Sequence, residues 1–116
     1  MDAATLAHLK GVVLLDAVDK GGAIANGLQL LSDANYIPVY NISSEPYVWN
    51  EGALVAQELA AARPGDFTGV MLSGGRHIDA MQGGNWLIQA GEYLIAGSSA
   101  PQNIDAVQTL TVGWIN

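Results

Sequence analysis

The chain has 116 residues and half of them are hydrophobic, so it is long enough to build a core and too apolar to be disordered. Its net charge of −7, with only four Lys and Arg, argues against the basic face that nucleic-acid binding requires. The absence of cysteine excludes disulfides and thiolate chemistry, and His8 and His77 are too far apart to form a metal-binding motif, so neither metal nor cofactor is expected.

The sequence shows neither a membrane-spanning segment nor a secretory signal. No apolar run reaches the roughly 18 residues of a membrane span. The first residues lack the basic and apolar regions of a secretory signal. We therefore expect a cytoplasmic protein with no membrane partner and a single domain over residues 1–116.

The first half of the chain alternates strand and helix patterns. Residues 12–15 form a continuous apolar run, typical of a strand buried on both faces. Apolar residues at helical spacing predict a helix over 23–32, weakened by nearby glycines. Residues 37–42 predict a second strand, with Pro38 near its start, where a missing N–H matters least.

The second half continues the alternation. An Ala/Leu/Glu-rich segment predicts a helix over 51–62, and residues 67–72 predict a third strand. Further helices are expected over 86–96 and from Pro101 onward. The order β-α-β-α-β-α-α predicts an α/β fold with a three-stranded parallel sheet flanked by helices. Three strands are few for such a domain, so the sheet resembles part of a larger one.

The loop after the third predicted strand carries the most informative residues. Here the apolar run 70–72 leads into Ser73-Gly74-Gly75-Arg76-His77-Ile78-Asp79. In such a loop, one ring nitrogen of a histidine can donate a hydrogen bond to a carboxylate, while the other ring nitrogen takes a proton from a hydroxyl nucleophile. No Gly-x-Ser-x-Gly elbow exists in the sequence, so the nucleophile that such a base would serve is missing. Ser73 lies in the base's own loop and is a poor substitute.

Three segments together resemble the C-terminal part of an α/β-hydrolase, most closely the bacterial esterase/lipase and chlorophyllase-like families. They are 11–19, with a strand followed by Asp16; 37–46, with a strand followed by Glu45 and Pro46; and 77–79, with the loop histidine. The resemblance implies that the strands correspond to the last three of the parent sheet. The first five strands, the nucleophile elbow and the oxyanion-hole loop have no counterpart.

The resemblance also implies site residues. His77 matches the catalytic base, and either Asp16 or Glu45 matches the acid that orients it. Because parallel strands bring their carboxyl ends to one edge, we expect all three residues at that edge, with one carboxylate within hydrogen-bond distance of the imidazole. Simpler interpretations stay open: His77 as a solvated loop residue, Asp16 as a cap for the segment 20–22, and Glu45 as a surface acid. Asp79 is expected to cap the helix that follows it.

The functional expectation is a hydrolase-like fragment that carries an acid and a base, is inactive alone and self-associates. One alternative is half of a split ester or lipid hydrolase, completed by a partner chain that supplies the serine. Another is a small-molecule-binding module that uses the cleft above the strand ends. A homodimer is expected because the first strand would leave an unpaired edge beside an apolar surface.

Overall fold

The computed structural model describes residues 3–33, 37–65, 68–80, 87, 90, 94 and 99–116. It contains one parallel sheet of three strands, in the order β1-β2-β3, with helices on both faces. The predicted α/β class and the three-stranded parallel sheet are therefore confirmed. The helix predicted over 86–96 falls largely outside the described residues.

The strands and the helices that were predicted within the described residues begin and end close to their predicted positions. The strands are β1, β2 and β3, spanning Val12–Leu15, Val39–Ser44 and Thr68–Leu72. The helices are α1, α2, α3 and α4, spanning Ala3–His8, Ala23–Asp33, Leu54–Ala62 and Pro101–Ile115. Short 3₁₀ turns occupy Lys20–Gly22, Val48–Asn50 and His77–Ala80. Helix α1 was not predicted, because six residues are too few to show a helical period.

The register of the sheet determines where the polar loops meet. Leu15 pairs with Ile42, and Ser44 pairs with Leu72, so all three strands end at the same edge. The residues that immediately follow the strands are Asp16, Glu45 and Ser73. The loops that carry the candidate site residues therefore meet where the carboxyl ends of the strands lie, as expected for parallel strands.

Each face of the sheet has its own hydrophobic core. Successive residues of β2 point to opposite faces, so Val39 packs with α2 and α3, while Tyr40 and Ile42 pack with α4. The first core contains Leu28, Val39, Val55 and Leu59, and the second contains Tyr40, Ile42 and Val107. Trp114 of α4 stacks on Tyr40 with ring centroids 5.6 Å apart. None of the helices among the described residues is long and apolar enough to cross a membrane.

The first strand is less buried than its sequence predicts. Val12, Val13 and Leu14 are only half-buried, and Leu15 is 38% exposed. The prediction that β1 is buried on both faces is therefore wrong. The physical reason is position: β1 lies at the edge of the sheet, whereas every residue of the central strand β2 is buried.

Helix α2 is anchored at its start by Asp19. The carboxylate accepts hydrogen bonds from the backbone N–H groups of Ile24, at 2.9 Å, and Ala25, at 3.3 Å. The Ile24 N–H is the main cause of a lowered pKa for Asp19. Burial raises the pKa of Glu58, on α3, and the adjacent Asp19 charge raises it further. Two carboxyl groups thus meet where α2 and α3 pack together.

Replacing Glu58 with glutamine is expected to raise the melting temperature at neutral pH. An acid whose pKa is raised on folding binds its proton more tightly in the native state. The contribution of Glu58 to stability therefore falls as the pH rises from the ordinary value of 4.5 through the folded-state pKa of this carboxyl, whereas a glutamine amide at this position cannot ionise. Thermal melts between pH 4 and pH 7 should show a gain that shrinks toward pH 4. Glu45→Gln, which removes the same charge from an exposed side chain, is the control; an equal gain at both pH values would contradict the account.

Candidate acid–base site

Asp16 occupies a tight bend directly after β1. Its φ of 43° lies in the left-handed region, which Asp and Asn tolerate better than most residues. Its backbone N–H still donates to the carbonyl of Ile42 at 2.7 Å, so the bend begins within the sheet ladder. The residue is 2% exposed, so its carboxylate is buried at the carboxyl end of β1.

Both oxygens of the Asp16 carboxylate are hydrogen-bonded. Oδ1 accepts from the backbone N–H of Ser44 at 2.8 Å and from Asn50 Nδ2 at 3.2 Å. Oδ2 accepts from Ser44 Oγ at 2.7 Å and lies 2.8 Å from His77 Nδ1. Hydrogen bonds of this kind offset the cost of burying a charged group. The alternative in which Asp16 caps the segment 20–22 is wrong, because its contacts go to β2, to Asn50 and to the imidazole.

His77 approaches Asp16 from the loop after β3. The bend in this loop uses Gly74 at φ 66° and a bond from the Gly75 N–H to the carbonyl of Leu72 at 2.9 Å. The backbone N–H of His77 donates to the hydroxyl of Tyr47. The imidazole is 25% exposed and faces a buried carboxylate, so one side of the ring is held while another reaches solvent. The predicted contact between His77 and one of two acids is present, and the acid is Asp16.

The other two acids near this loop have different surroundings. Glu45 is exposed and accepts a hydrogen bond from Ser73 Oγ at 3.4 Å, and the described residues show no ion pair between Glu45 and His77. Asp79 is 3% exposed and accepts from the backbone N–H groups of Arg76 and Ala100, both at 2.8 Å. Asp79 therefore joins the histidine loop to the start of α4. The helix that it was expected to cap, over 86–96, lies largely outside the described residues, so that role stays a prediction.

The tautomer of His77 follows from its partner. An ionised carboxylate can only accept hydrogen bonds, so a neutral imidazole facing Asp16 carries its proton on Nδ1. Nε2 is then left with its lone pair, which is the state that a general base requires. The network around Asp16 thus selects the form of imidazole that can take a proton at Nε2.

A cavity of about 490 Å³ borders the imidazole. It is lined by Val18 and Lys20 after β1, by His77, and by Val48, Trp49 and Glu51 after β2. Val48 is 83% exposed and Trp49 is 47% exposed, so apolar surface lies open beside the histidine. A volume of this size is within the usual range of small-molecule sites.

Asn50 was missed by the sequence analysis, and so was the role of Ser44. Nothing in the sequence indicates Ser44 as a partner of Asp16, although its backbone N–H and its hydroxyl both bind that carboxylate. Asn50 is three positions before Ala53 at the approach to α3, and its Oδ1 accepts the Ala53 N–H at 3.0 Å. That spacing is a capping signal, but nothing in it reveals the bond from Nδ2 to Asp16.

In the ranges that the structure describes, no group of three His, Asp or Glu side chains is arranged to hold a metal ion. Burial raises the pKa of the Tyr47 phenol, which therefore stays protonated at neutral pH.

Comparisons with protein-family models, curated proteins and solved structures found no match to this chain.

Proposed function

We propose that this chain supplies the acid–base half of an ester-hydrolysing site of the α/β-hydrolase type. His77 is the general base, Asp16 is the carboxylate that orients it, and the hydroxyl nucleophile comes from polypeptide outside these 116 residues. The observation that carries the proposal is the 2.8 Å contact between His77 Nδ1 and a buried, fully hydrogen-bonded Asp16. The open cavity beside the ring leaves room for a substrate and a nucleophile.

In the proposed reaction, His77 first accepts a proton and then donates it. Nε2 takes the hydroxyl proton as the oxygen attacks the ester carbonyl, and Asp16 stabilises the imidazolium that forms. The same proton then passes to the departing alkoxide as the carbon–oxygen bond breaks, which leaves an acyl group on the nucleophile. Water repeats the sequence to release the acid and restore the hydroxyl.

The serines near the base do not replace the missing nucleophile. Ser44 is 4% exposed and its hydroxyl donates to Asp16. The hydroxyl of Ser43 donates to the Val70 carbonyl at 3.5 Å, and that of Ser73 donates to Glu45. None of these three contacts joins a serine hydroxyl to His77, so we propose that the chain is inactive alone.

The isolated chain is therefore expected to hydrolyse short-chain nitrophenyl esters no faster than a matched His77→Ala variant. Under the proposal this chain supplies neither the covalent nucleophile nor the oxyanion donors, each of which contributes large rate factors. Initial rates at micromolar protein concentration measure this directly. Turnover well above background that His77→Ala abolishes would contradict the proposal and would require a serine in this chain.

Complementation distinguishes an acid–base half from an inactive module. A hydrolase half that carries Gly-x-Ser-x-Gly, encoded beside this chain, is expected to give ester turnover only when the two are mixed. His77→Ala in this chain should abolish that turnover. A pair of folded chains that associate without any turnover would favour the inactive module.

We further propose that the chain self-associates along β1. Among the described residues β1 pairs only with β2, which leaves its outer edge open. A groove of about 230 Å³ between α1, β1 and α2, lined entirely by apolar residues and glycine, adjoins this strand. Open edges beside apolar surface are rarely left exposed. A two-fold dimer in which the two β1 edges pair antiparallel would cover this edge; a face-to-face dimer is the alternative.

The Val13 backbone offers a test of the edge-to-edge dimer. Val12 and Asp16 donate their N–H groups to β2, so the alternation of a strand points the Val13 N–H outward. Val13→Pro removes that outward donor and leaves the β1–β2 ladder intact. Light scattering should give a dimer for the native chain and for Val13→Thr, and a monomer for Val13→Pro. A folded native chain that is monomeric at micromolar concentration would rule out self-association.

A further inference from the structure

The turn after β2 contacts both members of the acid–base pair. Asn50 Nδ2 donates to Asp16 Oδ1 at 3.2 Å, and the Tyr47 hydroxyl accepts the backbone N–H of His77. The two residues are also joined to each other, because the Tyr47 N–H donates to Asn50 Oδ1 at 3.0 Å. We infer that Tyr47 and Asn50 are positioning residues that hold the carboxylate and the imidazole in place. The inference rests on the proposed function of the pair.

Asn50 is fixed by bonds at both ends of its amide. Nδ2 lies 2.9 Å from Ser44 Oγ and 3.1 Å from the carbonyl oxygen of Glu45, in addition to its contact with Asp16. Oδ1 accepts the N–H groups of Tyr47 and Ala53. Because Asn50 is 1% exposed, rotating its amide would leave buried polar groups without partners. The Asp16 Oδ1 atom is therefore held, which directs Oδ2 toward the imidazole.

The backbone beyond Asn50 has an unusual conformation that requires support. Glu51 and Ala53 have φ values of 52° and 60°, in the left-handed region that favours glycine. Residues in such conformations persist where the surrounding contacts over-determine them, and they concentrate at functional sites. The bond from the Ala53 N–H to Asn50 Oδ1 is one such contact. The Asn50 side chain thus helps to hold the left-handed backbone of this turn.

Tyr47 acts on the histidine side of the pair. The guanidinium carbon of Arg76 lies 5.4 Å from the centre of the Tyr47 ring, so the phenol contacts the histidine loop at two points. Phenylalanine at position 47 would keep the ring contact and remove the acceptor for the His77 N–H. The effect of Tyr47→Phe therefore isolates the hydroxyl.

The exchange of the His77 Nδ1–H proton with water measures how well the pair is held. Proton NMR on the full chain should show this proton protected in the native protein by its bond to Asp16. Tyr47→Phe and Asn50→Ser should each exchange it about three- to tenfold faster, the effect of losing one typical hydrogen bond. Gln57→Ala is the matched control, because the Gln57 amide donates to the Gly52 carbonyl in the same loop and does not contact the pair.

A role limited to folding would lower the melting temperature without changing this exchange under native conditions. Exchange within about twofold of the native rate in folded Tyr47→Phe and Asn50→Ser would overturn the inference, as would an equal acceleration in Gln57→Ala. If Asn50→Ser fails to fold, Tyr47→Phe decides the outcome, since it removes a single oxygen. A native chain with no protected Nδ1–H proton would instead contradict the proposed function itself.

Discussion

Replacing Asp16 with asparagine is expected to slow acylation of His77 by diethyl pyrocarbonate about tenfold or more, with little effect on folding. The reagent reacts with an unprotonated imidazole nitrogen, so it reports whether Nε2 carries a lone pair. Asparagine tolerates the left-handed backbone at this position, where Asp16 has φ 43°. The fold should therefore survive a substitution that changes the electronic state of the histidine.

The network around Asp16 determines how the new amide must lie. The Oδ1 position faces two obligate donors, the Ser44 N–H and Asn50 Nδ2, so the amide oxygen of the variant belongs there. Its NH₂ group then takes the Oδ2 position, opposite Ser44 Oγ and His77 Nδ1. The Ser44 hydroxyl can turn and accept, and the imidazole must accept at Nδ1, which places its proton on Nε2. A corresponding change of tautomer in serine proteases lowers kcat by about 10⁴.

His8 provides an internal control for this experiment. His8 lies at the end of α1, before β1 begins, whereas Asp16 lies directly after β1 ends. The His8 side chain is exposed. Mass spectrometry of the peptides should show unchanged acylation of His8 in the variant. Equal rates for His77 in the native and variant chains would show that Asp16 does not determine the tautomer.

Replacing Gly75 with alanine is expected to destabilise the fold by about 1–3 kcal/mol, as is typical for overpacked sites. A Cβ atom at this position would lie 2.8 Å from the Leu72 carbonyl oxygen, 3.0 Å from Leu72 Cβ and 3.3 Å from Ser44 Cα. Two of these atoms are backbone atoms of the sheet, so the loop that carries His77 must move instead. Chemical denaturation should show a lower midpoint, and His77 should lose the protection of its Nδ1–H proton.

Gly113 gives the matched comparison for Gly75. It lies within α4, and a Cβ atom there would meet nothing within 4 Å. Because glycine lowers helix stability, Gly113→Ala should raise the stability by up to about 1 kcal/mol. Denaturation midpoints that shift in the same direction for both variants would contradict the packing described around Gly75.

The sheet could be predicted from sequence because its strands have strong local signals. The runs at β1 and β3 are apolar and short, and the helical segments between them dictate parallel pairing. The burial of β1 could not be predicted in this way. An apolar strand looks the same in sequence whether it is central or at an edge, and strand order is a property of the whole sheet.

The site was partly predictable for the same reason. Asp16 and Glu45 directly follow β1 and β2, and His77 lies in the loop after β3. The parallel topology alone therefore places all three near the carboxyl ends of the strands. The choice between the two acids depends on a single bend at Asp16 and on donors from Ser44 and Asn50. Such side-chain bonds join positions far apart in the chain, and local patterns carry no information about them.

The ¹⁵N–¹H correlation spectrum of the His77 imidazole in the native chain tests the central claim most directly. Nitrogen shifts distinguish a protonated ring nitrogen from one with a lone pair. At a pH where the ring is neutral, we expect a proton on Nδ1, facing Asp16, and a lone pair without a proton on Nε2. A proton on Nε2, or the averaged pattern of an exposed histidine such as His8, would contradict it.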